Sequence, residues 1–74
     1  MKKNENATLV FAEKLKELRS ERKLSSDALG KVVGVSGSII LKWEKAQRSA
    51  SIDSLALLAD FFGVTTDYLL GRED

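Results

Sequence analysis

Apolar residues recur at helical spacing along nearly the whole chain, and hydroxyl residues and glycines divide them into five segments. The first helix is expected over about Leu9 to Arg22, with Thr8 as N-cap and Phe11, Leu15 and Leu18 as its buried stripe. The second follows Ser25 and stops near Val33, where Gly34 tolerates the positive φ of a helix end. The third follows Ser36 and runs to about Lys45. The fourth follows Ser51 and ends at Phe62, before Gly63, with Ile52, Leu55, Leu58, Ala59 and Phe62 inward. The fifth spans Thr66 to Leu70, capped by Thr65 and closed by Gly71. No repeat, low-complexity tract or internal linker interrupts them. The pattern predicts an all-α protein, a compact five-helix bundle: a flexible basic arm over 1–8, one domain over 9–71 and a short tail over 72–74.

The stretch from Ser26 to Lys45 is the most informative. Two short helices flank Gly34-Val35-Ser36, with Leu29 and Val33 inward on the first and Ile40 and Trp43 inward on the second. Gly30 is small where close approach is needed, Gly34 permits the turn and Val35 plugs the corner. These are the requirements of a helix-turn-helix, whose second helix can enter a DNA major groove. At about 100° per residue, Ser38, Leu41, Lys42 and Lys45 share one outward arc, opposite Ile40 and Trp43, with Ile39 on the shoulder. Ser38 can bond any base edge, Leu41 can lie against a thymine methyl, and Lys42 can reach guanine or phosphate. Lys45, one turn later, is expected at a phosphate. The position of Trp43 favours core packing over base stacking.

Charge adds a division that the net +1 conceals. Residues 1–48 carry eleven lysines and arginines against six acids, whereas residues 49–74 carry one arginine against five acids. A basic half suits an anionic partner. Asp27, Asp53 and Asp67 each stand two residues after a Ser or Thr cap, where a carboxylate faces the positive end of the helix dipole. Glu13, Glu17, Lys14 and Arg19 read as solvated charge on the first helix. Cysteine and histidine are both absent, which removes disulfides, the commonest metal ligands and the commonest general base. No cofactor, metal site or catalytic residue is expected, and the Ser20/Lys23 spacing of an S-x-x-K string stands without supporting motifs. No run is long or apolar enough to span a membrane, and Met1 to Asn6 lacks a signal-peptide apolar region, so a cytoplasmic location is expected.

Taken in order, several pieces resemble one family. They are Phe11 to Arg19 (FAEKLKELR), Gly34-Val35-Ser36, Ile40 with Lys42-Trp43-Glu44, Leu58 to Val64 (LADFFGV) and Asp67 to Gly71 (DYLLG). The chain resembles a Cro/cI-type (Xre-family) helix-turn-helix DNA-binding domain over nearly all of residues 9–71. That resemblance implies a five-helix, lambda-repressor-like fold and a bacterial or phage transcriptional regulator, a repressor in the first instance. It also implies readout by the third helix and dimeric binding to a palindromic operator. The chain departs from the family pattern at four places. Ser26 stands for a phosphate-binding glutamine, Gly37 for a polar base-reading residue, Ala46 for a glycine and Ala50 for a proline.

The candidate site follows from both readings. Gly37, Ser38, Leu41 and Lys42 face bases, and Ser25, Ser26, Ser36, Lys45, Arg48 and Ser51 face phosphates. Lys2 and Lys3 can follow the backbone or serve as solubilising charge. Leu57 and Phe61 point away from the inner stripe of the fourth helix and, with Tyr68 and Leu70, form the candidate dimer surface, which would set two reading helices roughly 34 Å apart. Val32 is expected exposed. The competing reading is a helix-turn-helix-fold protein-interaction module, such as an antitoxin or partner-binding regulator, which the weak base-reading set of Gly37 and Leu41 favours.

Overall fold

Four of the five helices begin at a hydroxyl that closes its own first turn. In the computed structural model, which describes residues 7–72, the elements are α1 (Ala7–Glu21), α2 (Ser26–Val33), α3 (Gly37–Glu44), α4 (Ile52–Phe62) and α5 (Thr66–Leu70). Ser25, Ser36, Ser51 and Thr65 each hold an extended backbone, and each side-chain oxygen accepts a backbone N–H three residues on. Gly34, Gly63 and Gly71 close α2, α4 and α5 in the left-handed conformation, as the spacing predicts. None of the described residues forms a strand, and no helix among them is long and apolar enough to cross a membrane.

The exception is α1, which starts at Ala7 rather than Leu9, so Thr8 is a helical residue and not its N-cap. Ala7 and Thr8 therefore leave the segment assigned to the basic arm, while Lys2 and Lys3 lie outside the described residues. The end of α1 uses no glycine. Lys23 takes φ 56°, and the Leu24 N–H reaches back to the Arg19 carbonyl at 3.1 Å. Ala46 does the same after α3: its φ is 58°, and the Gln47 N–H donates to the Lys42 carbonyl at 2.9 Å. Alanine thus adopts the geometry that a glycine would hold more cheaply, at a cost of about 1 kcal/mol. The chain turns sharply towards α4 all the same.

Phe11, Leu15, Leu29, Ile40, Trp43, Leu58, Ala59, Phe62 and Leu69 form one buried cluster, to which every helix contributes. Each large side chain buried there stabilises by roughly 1.5–3 kcal/mol, so the modest core leaves little to spare. Trp43 is a core residue, tilted against Phe11 with ring centroids 6.3 Å apart. Among the described residues its indole nitrogen has no hydrogen-bond partner.

One position of the predicted inner stripe is wrong. Ile52 is 84% exposed. It opens α4 on the shoulder of the stripe, about 70° from its centre. Leu18 and Leu55 are half-buried at the core's edge.

Candidate nucleic-acid interface

The turn between α2 and α3 brings backbone directly against backbone. The Val35 N–H donates to the Gly30 carbonyl at 2.9 Å, while a Cβ on Gly30 would collide with the Val35 carbonyl and sit 3.1 Å from the Ser36 carbonyl carbon. Gly30 therefore lets the turn itself fold back onto α2. Only a residue without a side chain allows that approach.

The far end of α3 is clamped to α1. Arg19 Nε and one terminal nitrogen donate to the two Glu44 carboxylate oxygens at 2.5 and 2.9 Å, and the other terminal nitrogen donates to the Leu24 carbonyl at 2.8 Å. The Glu44 side chain is only 3% exposed. The hydrogen bond to Glu44 holds the Arg19 guanidinium above its usual pKa, against the opposing cost of burial. Arg19 is not the solvated charge that its place on α1 suggests; it is the anchor of α3, paired across 25 positions of sequence.

Held at both ends, α3 presents the expected arc. Ser38, Leu41, Lys42 and Lys45 are exposed, Ile39 is half-buried, and Ile40 and Trp43 are buried beneath. Gly37 departs from its assignment. It is buried, and a Cβ there would collide with the Asp27 carboxylate, so residue 37 itself presents nothing to a base. The same closeness brings together the starts of α2 and α3, and with them Ser25, Ser26 and Ser36. Ser25 and Ser36 are exposed and Ser26 is half-buried. The Ser25 and Ser36 oxygens accept from Ala28 and Ile39 N–H groups, which leaves each O–H proton to donate outward. Ser51 differs: its oxygen accepts from the Ser54 N–H and its O–H donates to the Ser54 hydroxyl at 3.1 Å, so this hydroxyl is spent within the fold. Arg48 is exposed in the loop before α4.

The candidate dimer surface is also rearranged. Leu57 is exposed. Phe61 is half-buried, edge-on to Phe62 and covered by the Arg22 guanidinium, which also donates to the Phe61 carbonyl at 3.3 Å. Tyr68 lies beneath the Lys14 ammonium, 4.7 Å from its ring centroid. Phe61 and Tyr68 are thus each half-buried, with a cation from α1 or its end over the ring. Leu70, half-buried, lines an apolar cleft of about 160 Å³ together with Ala7, Thr8, Phe11, Ser49, Ala50 and Leu55. Ile52, three residues before Leu55, is exposed and is not among the residues that line the cleft. Val32 is exposed, as its spacing predicts.

Comparison with known proteins places this geometry. A helix-turn-helix family model matches residues 15–69. The chain is 38% identical over 66 residues to the HTH-type transcriptional activator BcrR of Enterococcus faecalis, covering 89% of this chain and 32% of that protein. It is 38% identical over 61 residues to the HTH-type transcriptional regulator AnsR of Bacillus subtilis, covering 82% of this chain and 53% of AnsR. It is 33% identical over 63 residues to repressor protein C2 of Salmonella phage P22, covering 85% of this chain and 29% of the repressor. The chain thus spans between a third and about half of the curated relatives BcrR and AnsR. Among solved structures, the P22 c2 repressor in complex with a synthetic operator superposes with a TM-score of 0.80 at 32% identity, over 85% of this chain and 96% of that one.

Proposed function

This chain belongs to the helix-turn-helix family of Xre/Cro-cI type, and we propose that it regulates transcription by binding a double-stranded operator with α3 in the major groove. The observation that carries the proposal is the exposed arc of Ser38, Leu41, Lys42 and Lys45, on a helix held at both ends, within a fold shared with an operator-bound repressor. Ser38, Leu41 and Lys42 read bases in this arrangement. Lys45, Arg48, Ser25, Ser26 and Ser36 meet phosphates, with the Ser25 and Ser36 hydroxyls donating. We assign repression as its action, the role named for the P22 relative, although BcrR is named an activator. The protein would act in the cytoplasm, on the nucleoid.

Two lysines divide the labour and supply the test. Affinity should fall steeply with salt, because phosphate neutralisation releases counterions. Lys45→Ala should weaken all duplexes about equally and lower the slope of log affinity on log salt by about one. Lys42→Ala should cost about 1–3 kcal/mol and relax preference at one or two positions of each half-site. Both variants are measured against a panel of single-base operator changes. A uniform loss in the Lys42 variant with altered preference in the Lys45 variant would reverse the orientation given to α3. A salt-independent affinity would remove duplex DNA as the partner and leave a protein-binding module.

The operator-bound species is a homodimer on a palindrome in this account. Its contact face is assigned to the start of α4, where Ile52 is 84% exposed and a second copy related by a twofold axis would bury it. Ile52→Glu should keep the helical spectrum but dissociate the pair and weaken operator binding at least tenfold. Sedimentation of both forms, free and on duplex, checks this. A wild type that binds one copy per operator at every concentration contradicts it.

A further inference from the structure

The start of α3 is where a reading helix first meets the groove floor, and here residue 37 is a glycine. The space that its side chain would take is filled from the neighbouring helix. A Cβ on Gly37 would collide with the Asp27 carboxylate and stand 3.0 Å from both the Asp27 carboxyl carbon and the Asp27 backbone nitrogen. Asp27 is exposed. Among the described residues its carboxylate makes no hydrogen bond or ion pair. The caps of α2 and α3 are the Ser25 and Ser36 hydroxyls, and among the described residues the one ion pair joins Arg19 to Glu44.

We propose that Asp27 reads a base from the position vacated by residue 37, its carboxylate accepting a hydrogen bond from the N4 amino group of cytosine. The inference rests on the operator-binding reading above and adds a specificity residue that lies outside α3. The chemistry selects the base. An ionised carboxylate only accepts, so it matches the amino donor that cytosine offers in the major groove. Guanine offers N7 and O6, and thymine offers O4; against either, the carboxylate loses water and gains no donor. Adenine places its N7 acceptor beside its amino group and fits less well. The phosphates repel this charge in every duplex, so Asp27 lowers affinity in general and restores it where the donor is present. Discrimination of this kind works by penalising the wrong partner.

The test is a panel of duplexes built on the sequence that the wild type selects from a random pool, with each half-site position set to all four bases. The wild type should prefer cytosine at one position per half-site by about 5- to 150-fold. Asp27→Ala should flatten that preference to within about twofold and leave the ranking at other positions intact. Asp27→Asn, which keeps shape and folding, should move the preference from cytosine towards adenine, because an amide both accepts and donates. Gly37→Ala displaces the carboxylate without changing the charge and should also flatten the preference. If Asp27→Ala and Asp27→Asn change affinity by the same factor on every duplex and leave the ranking unaltered, Asp27 acts only as a charge and the proposal is overturned. If the wild type itself selects no sequence, the operator-binding reading fails first, and the two failures are told apart by that step.

Discussion

Glu44→Ala should be among the most destabilising single changes in the chain, at about 3–5 kcal/mol, because it leaves the Arg19 guanidinium part-buried without its carboxylate. A domain of this size loses roughly 4–8 °C of melting temperature per kcal/mol, so the shift should exceed about 12 °C. The doubly apolar replacement Arg19→Met with Glu44→Leu should recover most of the loss, since neither charge then remains unpaired. Urea and thermal unfolding of the three proteins decide it. A loss under about 1 kcal/mol for Glu44→Ala would mean that the pair behaves as a solvated surface pair.

Ile40→Ala should cost about 2–5 kcal/mol for a different reason: it empties space under α3. Ile40 is fully buried and makes no contact with DNA in this account, so its removal separates folding from recognition. The folded fraction should fall, while the variant's ranking of duplexes, measured where it remains folded, should match the wild type. A changed ranking would show that α3 shifts on its support, and that the reading arc depends on core packing as much as on its own residues.

Four of the five helix starts and most ends are legible in the sequence because short-range chemistry makes them. A serine before an apolar run and a glycine after it act within one turn, and the Ser25, Ser36, Ser51 and Thr65 caps all form. The left-handed Lys23 and Ala46 were not legible, because neither residue type announces a positive φ. The side of α3 that faces outward could also be read, since Ile40 and Trp43 fix its inner stripe. Features formed between distant segments escaped. The Arg19–Glu44 anchor joins residues that look like ordinary helix charge, although both sit in the matched family pieces. Asp27 looked like a dipole acid, and only its proximity to Gly37 gives it another reading. Ile52 and Phe61 exchanged places for a related reason. Periodicity gives an angle, but it does not say where the core ends or that Arg22 folds over Phe61.

The central claim is that α3 recognises a particular DNA sequence. Its most direct measurement is the affinity of the wild-type chain for the duplex that it selects from a random pool, against a shuffled duplex of equal length at one physiological salt concentration. The ratio should be about a thousandfold or more, as specific binders show over their own non-specific binding. Equal affinity for the two duplexes would contradict it.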